Sequence, residues 1–480
     1  MSLELSNDGT HMHKLAIGRP ISAAAIFTLA HLLVPSLVAA QVPPPTESVN
    51  VLDANSATVA TLSVPRTGIQ ASELAVLIND NDPQSVEIAN YYQRARNIPS
   101  QNMIHLSFDQ TKIYPGFDAN QGIDPADFAA LKAQVDAKVG PEIQAFLISW
   151  SRPFRIARFN YHVTNYSITS AFAYGVDADY LTSKSCGLGP VNPYYNSRST
   201  TPYTDFGIRP TMMLAGVSVT SVKATIDKGL KADRNLPRGN GWFVRTADNV
   251  RSAPRYRDFQ TTAQNWNHPD ALTMTYYDHL ANGGLSEVKY KRDILFYETG
   301  LVNVPGLNTN AYVPGALADH LTSFGGDLFA NGQMSALRWL EAGVTASYGT
   351  VIEPCAYAEK FPAASVLVQN YFHGNTSLEA YTKSVRRPSQ GVFVGDPLAR
   401  PFGTQATLVN GMLSIKTSSL EPGTTYNLYS APSAIGPFSQ IATISVPRFQ
   451  IATIDIAGMS APFFKLESAA GTTPPPQHGN

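Results

Sequence analysis

Apolar runs and helix-start signals alternate through the first part of the chain. Residues 74–78 are all apolar, which is typical of a strand covered on both faces. Asp82-Pro83 and Asp124-Pro125 each place a capping carboxylate and then a proline ahead of a helical pattern. Further strand patterns lie at 103–107 and 145–150. The order strand, helix, strand, helix, strand predicts a doubly wound α/β sheet.

The same alternation resumes after a loop-rich stretch at about 151–210. Strand patterns recur with helical patterns between them, at 211–217, 241–246, 293–297, 317–323, 348–353 and 392–394. We therefore predict one α/β domain over residues 72–402, with helices on both faces of a sheet that is either single or built from two halves.

The pattern of hydrophobic and polar residues changes on both sides of this region. From about residue 404, segments such as GMLSIKTSSL and GPFSQIATISV are short alternating strands without a helical pattern. They predict a small antiparallel β-sandwich of the fibronectin or immunoglobulin kind over 404–470. The composition of GTTPPPQHGN predicts a disordered tail at 471–480, and the Pro- and Ser/Thr-rich stretch 41–71 predicts a loose linker.

The first 40 residues have the features of a targeting segment. Lys14 and Arg19 precede an apolar run at 21–34, and small residues up to Ala40 suit a cleavage site. The run is short for a membrane-spanning helix, so we expect a signal peptide cleaved after Ala40. Residues 1–11 contain two acids, do not suit a signal sequence and are interpreted as an added leader or a misassigned start. We predict an exported protein, periplasmic or extracellular, with no stable membrane span after cleavage.

Charge and motif content exclude several classes of partner. Thirty-five basic and 36 acidic residues give a net charge of -1, so there is no basic field to attract nucleic acid. The sequence has no His/Cys spacing typical of a metal site, and no cofactor is expected. Other partners are not identified by the sequence.

The two cysteines are Cys186 and Cys355. Two thiols in one exported chain often pair, but their separation in space cannot be derived from the sequence. A disulfide and a reactive or merely buried thiol both remain open at this point.

Several blocks near the carboxyl end resemble a known class of enzymes. ALRWLEAGVTASYGTVIEP, TSLEAYTKSV and GVFVGDPLARPF follow one another as a helix and small-residue strand, a helix, and a closing Gly-Asp-Pro strand. In this order they resemble the carboxyl half of caspase–gingipain-like cysteine peptidases. Residues 72–402, with SFGG, Glu-Pro-Cys followed by KFP, and the GDPLARPF ending, are similar to an uncharacterised family of exported bacterial proteins. The resemblance implies a caspase/gingipain-like sheet.

The expected catalytic pair of that class is missing. Where the peptidases have His-Gly at one strand end, this chain has Glu298-Thr299-Gly300, and where the nucleophilic Cys should end the next strand it has Leu321-Thr322-Ser323. Thiol catalysis needs a thiolate and a base within hydrogen-bond reach. The resemblance therefore implies a scaffold that has lost its peptidase dyad.

Other side chains at strand ends are candidates for binding. Asn79 and Asp80 close the first strand, where a doubly wound sheet commonly binds ligands. Oxygen ligands in this turn suit Ca²⁺, but the calcium-loop spacing is absent and Asp82 is already a helix cap, so a metal is disfavoured. Arg152 follows the third strand and is suited to an anionic group. Asp396 is interpreted as a turn-forming residue.

Five residues are candidates for catalysis. Cys355 lies beside Glu353, so it is a poor nucleophile unless another group lowers its pKa. Glu298 and Glu353 are expected close together, either as an acid–base pair or as turn-capping carboxylates. His320 is either a base or a satisfied interior residue. Ser323 is either a nucleophile or part of a tight turn, since the G-x-S-x-G pattern is absent.

Three functional hypotheses follow. The first is a non-peptidase member of the fold class, with a binding cleft formed by strand ends carrying Asn79, Glu298, Ser323 and Glu353. The second is an active hydrolase that uses Cys355 or Ser323 with His320 as base and Glu353 to orient it. The third is a cell-surface binding or structural protein without chemistry.

Overall fold

The structure, a computed structural model, describes residues 45–111, 122–156, 165–182, 186–266, 272–329 and 332–469. The helices are α1 Pro83–Arg96, α2 Pro125–Asp136, α3 Ile168–Tyr174, α4 Ala178–Thr182, α5 Pro202–Phe206, α6 Val219–Ala232, α7 Asn249–Ser252, α8 Tyr256–Trp266, α9 Leu337–Ala342, α10 Ala364–Phe372 and α11 Ser377–Ser384. The strands are β1 Thr46–Leu52, β2 Thr58–Pro65, β3 Leu74–Asn79, β4 Met103–Leu106, β5 Gly122–Ile123, β6 Ala145–Ile148, β7 Arg155–Ile156, β8 Tyr166–Ser167, β9 Thr211–Met213, β10 Gly239–Arg245, β11 Leu272–Asp278, β12 Ile294–Gly300, β13 Tyr312–Leu321, β14 Ala346–Thr350, β15 Gly391–Gly395, β16 Gln405–Val409, β17 Met412–Thr417, β18 Thr425–Ala431, β19 Ser439–Ser445, β20 Ala452–Ile456 and β21 Phe463–Ser468.

The central element is a ten-stranded sheet with the order β11-β10-β12-β13-β14-β15-β9-β6-β3-β4. Its strands alternate their side chains between two apolar layers: Leu74, Val76 and Ile78 enter one cluster, while Ala75 and Leu77 enter the other. Helices α1, α6, α8, α10 and α11 cover the first face, and α2, α3 and α9 cover the second. The predicted fold class, an α/β sheet with helices on both faces, is confirmed.

The caps expected from the sequence begin the first two long helices. Asp82 accepts a hydrogen bond from the Gln84 amide at 3.0 Å, and Asp124 accepts one from the Ala126 amide at 2.8 Å. Each helix then starts at a proline, whose missing amide hydrogen costs nothing in the first turn. These caps fix where α1 and α2 leave the ends of the preceding strands.

The two halves of the ten-stranded sheet run in opposite directions. Strands β10 to β14 are mutually parallel, as are β3, β4, β6, β9 and β15. The halves meet where β15 pairs antiparallel with β14. The sheet has two borders formed by strand ends, which are called its edges below. The carboxyl ends of β3 and β6 lie at one of these edges, and those of β12, β13 and β14 lie at the opposite edge.

The all-β part contains a piece that we interpreted as linker. Residues 46–52 and 58–65 form the hairpin β1–β2, which occupies the centre of an eight-stranded sheet of order β19-β18-β21-β2-β1-β16-β17-β20. The hairpin pairs parallel with β16 on one side and β21 on the other. The interpretation of 41–71 as a loose linker is therefore wrong for this hairpin, and the sheet is mixed rather than purely antiparallel.

All eight strands of this sheet pack against one apolar core. Val51 and Leu62 of the hairpin are fully buried in it together with Leu413, Leu428 and Leu466. A flat sheet presents two separate faces, so a sheet whose terminal strands share a core must curl over on itself. Whether the domain is of the fibronectin or immunoglobulin kind stays a prediction.

The closing GDPLARPF segment ties the two sheets together. Arg400 donates to both carboxylate oxygens of Glu47 on β1, at 2.6 and 2.7 Å. Asp396 forms an ion pair with Arg96 of α1 and accepts hydrogen bonds from Tyr92 Oη at 2.9 Å and from the Leu398 amide at 3.2 Å. Asp396 thus shapes the turn as expected and also anchors it to α1.

The predicted signal peptide with its cleavage site after Ala40, and the predicted tail at 471–480, lie outside the described residues. None of the helices within the described part of the chain has both the length and the apolar character needed to cross a membrane.

Candidate functional site

The predicted common cleft does not form. Asn79 ends β3, whereas Glu298, Ser323 and Glu353 belong to β12 or follow β13 and β14, whose carboxyl ends lie at the opposite edge of the sheet. Strand direction was the information that the sequence pattern lacked. The two edges therefore have to be considered as separate candidate sites.

A topological switch point lies between β3 and β6. From β3 the chain passes outward to β4, then returns to add β6 and β9 on the other side. In open α/β sheets, this arrangement leaves a crevice beyond the carboxyl ends of the two central strands. The crevice here holds a cavity of about 200 Å³ lined by Asp82, Gln84, Gln110, Thr111, Ser151 and Arg152.

Arg152 is the distinctive side chain of this crevice. Its guanidinium carbon lies 3.6 Å above the centroid of the Phe329 ring. No carboxylate forms an ion pair with it within the described residues. Burial lowers the pKa of Arg152 from its ordinary value, and the more distant Asp327 carboxylate partly offsets that shift. A half-buried cation without an ion-pair partner is suited to an anionic ligand.

The two other predicted ligand-binding residues at this edge have structural roles. Asn79 is fully buried, and its Oδ1 accepts hydrogen bonds from the Asn81 and Phe108 amides at 3.2 and 3.3 Å. Asp80 is exposed and lies 2.7 Å from His105 Nδ1. Asn79 therefore shapes the loop after β3, and neither residue is among those that line the cavity.

Asp82 and Gln110 complete the polar lining. One Asp82 oxygen caps α1, and the other lies 3.0 Å from the Gln110 side-chain amide when its nitrogen is turned towards it. In the same orientation Gln110 donates to the Arg152 carbonyl at 3.3 Å. The crevice thus combines one cation, one carboxylate already held by a helix N-terminus, and neutral hydrogen-bonding groups.

The opposite edge also has a switch point, between β10 and β12, but it is filled. A Cβ atom on Gly300 would collide with the backbone carbonyl of Arg251, which shows how closely α7 packs against the end of β12. Thr246 Oγ1 donates to the Gly300 carbonyl at 2.6 Å, and the Thr246 amide donates to Ser252 Oγ at 2.9 Å. This packing explains why glycine stands at position 300, because α7 occupies the space directly against the end of β12.

Glu298 lies inside the sheet rather than at a strand end. It is fully buried, and the neighbouring carboxylate is Asp319 on β13 rather than Glu353. Arg255 Nη1 donates to Asp319 Oδ1 at 2.6 Å and to Glu298 Oε2 at 3.2 Å. Burial and then the charge of Asp319 raise the pKa of Glu298 well above its ordinary value, against the opposing effect of Arg255.

The buried triad of Glu298, Asp319 and Arg255 contains two carboxyl groups and one guanidinium. Glu298 Oε1 and Asp319 Oδ2 have no hydrogen-bond partner among the described residues. Burial also raises the pKa of Asp319, although Arg255 counteracts the shift. Because one guanidinium faces two carboxyl groups, we infer that the pair retains one proton at neutral pH.

His320 has the geometry of a structural residue, not of a base. Trp339 Nε1, which can only donate, gives a hydrogen bond to His320 Nδ1 at 3.1 Å. His320 Nε2 must therefore carry the proton that it donates to the Met334 carbonyl at 3.0 Å. Burial lowers the pKa of His320 to about 3. With both nitrogens occupied and no exposure to solvent, the prediction of His320 as a catalytic base is wrong.

The Ser323–Gly326 turn is a site of close backbone packing. A Cβ on Gly326 would collide with the backbone of Gly349, and the Gly326 amide donates to the Thr350 carbonyl at 2.8 Å. Thr350 Oγ1 donates to the Ser323 carbonyl at 3.1 Å. The small residues are thus required for the turn to approach β14, and with His320 occupied no base supports Ser323 as a nucleophile.

Of the alternatives left open for the cysteines, the structure has the disulfide. Cys186 and Cys355 are bonded, with 5.3 Å between their Cα atoms. A disulfide sulfur cannot serve as a thiolate nucleophile, so the prediction of Cys355 as a catalytic residue is wrong for this state. Glu353 Oε1 accepts a hydrogen bond from the Cys355 amide at 2.7 Å, which gives Glu353 a turn-capping role.

Several residues of these sites were missed. Arg255 and Asp319 complete the triad with Glu298, and Gln110 and Phe329 shape the Arg152 crevice. A carboxylate inside each of two apolar strand patterns was the available signal for the triad, since buried charges need partners. Phe329 gave no such signal, because its position over Arg152 depends on the loop after β13.

No group of three or more potential His, Cys, Asp or Glu ligands is arranged to hold a metal ion within the described ranges. The Asn79–Asp82 turn is part of those ranges.

Comparisons with known proteins give a distant likeness only. No protein-family model matches the sequence, and no curated protein matches it significantly. A structure of the complex of Porphyromonas gingivalis RgpB pro- and mature domains is 12% identical, covering 82% of this chain and 94% of that chain, with a TM-score of 0.37. A structure titled "Structure of Protease" is 11% identical, covering 84% and 98%, with a TM-score of 0.39. With TM-scores below 0.5, neither likeness supports a conclusion about function.

Proposed function

We propose that this protein is an exported binding protein without peptidase activity, and that it binds a small carboxylate-bearing molecule in the β3/β6 crevice. The observation that carries the proposal is Arg152. Its guanidinium is half-buried at a switch point, is stacked on Phe329, and has no ion-pair partner among the described residues. A carboxylate would supply two oxygens in the geometry that a guanidinium binds best.

The rest of the crevice narrows the chemistry of the ligand. Asp82 lines the same cavity as Arg152, so a bare anion would meet a carboxylate as well as the guanidinium. A ligand with a hydroxyl or ammonium group near its carboxylate would bind both charged side chains, its carboxylate at Arg152 and its hydroxyl or ammonium group at Asp82. The cavity of about 200 Å³ suits a molecule of a few heavy atoms. Small hydroxy- and amino-carboxylates meet these conditions.

Three observations support the absence of peptidase activity. Cys355 is held in a disulfide, both ring nitrogens of His320 are occupied, and the packing of Arg251 on Gly300 fills the second switch point. Nucleophilic catalysis needs a free nucleophile next to a base, and the strand ends that the resemblance pointed to offer neither. The disulfide also supports export, because such bonds persist mainly in oxidising compartments.

The test is calorimetric titration of the mature protein with L-serine, L-lactate and inorganic phosphate. We expect binding of at least one carboxylate, weakened about tenfold or more in Arg152→Met, because a hydrogen bond to a charged group contributes about 1.5–3 kcal/mol. Arg94→Met is the matched control, since Arg94 is an exposed arginine on α1. Equal affinities in both variants would refute the site, and hydrolysis of casein by the wild-type protein would refute the non-peptidase assignment.

A further inference from the structure

A second cavity lies apart from the Arg152 crevice, beside the start of β15. It has a volume of about 220 Å³, and its walls are mostly apolar or aromatic: Tyr166, Tyr174, Pro190, Val191, Ile208 and Pro388. An engineered apolar cavity of about 150 Å³ accommodates benzene in another protein. The space here is therefore sufficient for one aromatic ring with a short substituent.

Two neutral polar side chains of the lining, Tyr166 and Asn192, are already used within the protein, whereas the buried Tyr174 hydroxyl has no hydrogen-bond partner among the described residues. The Tyr166 hydroxyl accepts a hydrogen bond from the Asp177 amide at 3.0 Å. The Asn192 side-chain nitrogen donates to the carbonyls of Thr382 and Val385, at 2.8 and 3.0 Å. A ligand in this cavity thus meets mainly carbon surface and one unpaired hydroxyl, that of Tyr174, which suits an apolar ring with a single polar substituent.

Asp177 supplies the charge of this cavity. It is exposed at the rim, and its Oδ1 accepts a hydrogen bond from the Tyr180 amide at 2.7 Å. Its carboxylate forms no ion pair within the described part of the chain, and no lysine or arginine lines the cavity. Burial raises the pKa of Tyr166 to about 12, and the charge of Asp177 adds to that shift.

One wall of the cavity is held in place covalently. Pro190 and Val191 lie a few residues beyond Cys186, whose disulfide to Cys355 fixes the start of this segment. Arg387 Nη1 donates to the Gly189 carbonyl at 2.5 Å, just before the wall. A loop fixed in this way keeps the cavity open without a ligand. Binding then costs less conformational entropy, because the loop is already ordered.

We propose that this cavity binds a small arylalkylammonium ion, with the ring between the tyrosine and proline walls and the ammonium group at Asp177. The aromatic faces of Tyr166 and Tyr174 attract a cation as well as a ring. The carboxylate at the rim selects a positive over a negative substituent, because no cation among the described lining residues offsets its charge. This site is independent of the crevice at Arg152.

The experiment is calorimetric titration of the disulfide-bonded mature protein with 2-phenylethylamine, and with 3-phenylpropionate as the anionic analogue of similar size. We expect 2-phenylethylamine to bind and 3-phenylpropionate to bind up to about fivefold more weakly, the range of a rim ion pair. Asp177→Asn should remove most of that difference. Asp179→Asn, an exposed neighbouring acid outside the lining, should leave it unchanged.

Filling the cavity tests its location. Val191 is 51% exposed, so Val191→Trp can place its ring in the cavity without displacing the buried core. It should weaken 2-phenylethylamine binding about tenfold or more, while Arg152→Met should not affect it. Absence of binding at millimolar concentration, equal binding of both analogues, or full binding by Val191→Trp would each overturn the proposal.

Discussion

Replacing Glu298 by Gln tests the protonation of the buried triad. Gln has the shape of a protonated Glu and cannot ionise, so the substitution keeps the packing and removes the titration. In the native chain Glu298 is fully buried, shares Arg255 with Asp319, and has a pKa raised well above its ordinary value near 4.5. If the pair retains one proton at neutral pH, the variant should be at least as stable as the wild type there.

The sign and size of the pH effect follow from proton linkage. A carboxyl whose pKa is raised by folding holds a proton in the native state that the unfolded chain has already lost. Stability therefore decreases as the pH rises from the ordinary pKa of Glu towards the raised one. One such group gives a slope of about 1.4 kcal/mol per pH unit. Because Glu298 and Asp319 are coupled, this slope belongs to the pair.

The pH range of the measurement has to be one in which other buried titrating groups contribute little to the pH dependence of stability. Folding lowers the pKa of His320 from 6.5 to about 3, and burial also lowers the pKa of His373, so the unfolded chain takes up protons at both residues below pH 6.5 and stability falls as the pH decreases. Burial lowers the pKa values of Lys360 and Lys383 to about 8, so their effect begins above that pH. Between about pH 6.5 and 7.5 the contribution of the triad should dominate.

Urea unfolding followed by tryptophan fluorescence, at several pH values in this range, is the assay. We expect the unfolding free energy of the wild type to fall with pH and that of Glu298→Gln to be nearly flat. Glu142→Gln, at an exposed carboxylate, should keep the wild-type slope. A Glu298→Gln protein destabilised by more than about 2 kcal/mol at pH 7, the cost of losing a needed buried charge, would refute the proposed proton.

Three further predictions concern other buried contacts. Arg400→Met should lower the unfolding free energy by about 3–5 kcal/mol, since it leaves Glu47 buried without its cation. Adding Glu47→Gln should partly restore the lost stability. Full stability of the single variant in urea would contradict this prediction. Replacing Cys186 and Cys355 by Ser should cost about 2–5 kcal/mol, and a thiol assay of the native protein should find no free thiol. His320→Ala should destabilise by at least about 1–3 kcal/mol, because the Trp339 and Met334 partners lose their hydrogen bond, without altering any hydrolytic activity.

Local signals in the sequence were sufficient for several individual elements of the α/β sheet and its helices. The all-apolar run before Asn79 is a strand buried on both faces, and Asp82 and Asp124 cap helices that start at the following prolines. Each of these features is decided by neighbouring residues: alternation buries a strand, and a carboxylate satisfies the free amides of a first turn. This is why the α/β class and its layers could be predicted.

The hairpin β1–β2 carried a usable signal that was overlooked. Thr46–Leu52 and Thr58–Pro65 alternate exposed and buried residues, with Val49, Val51 and Leu62 facing the core. The nearby prolines and the Ser/Thr content led to the interpretation as linker. Its strand partners lie more than 340 residues away in the chain, so no local pattern could indicate what the hairpin pairs with.

The location of the candidate site depended on a single pairing that the sequence could not provide. If β15 had joined β14 in parallel, the carboxyl ends of β3 and β13 would share one edge, although four strands would still separate Asn79 from Ser323. The antiparallel pairing of Ala346 with Gly395 and of Thr350 with Gly391 places these ends at opposite edges. The two halves then have one switch point each, and their local packing differs: the one beside Arg152 contains a cavity, whereas Gly300 lets α7 fill the other. Because a ligand needs space as well as suitable groups, this difference, rather than the residues at the positions of the lost dyad, is the stronger reason to look for binding at Arg152.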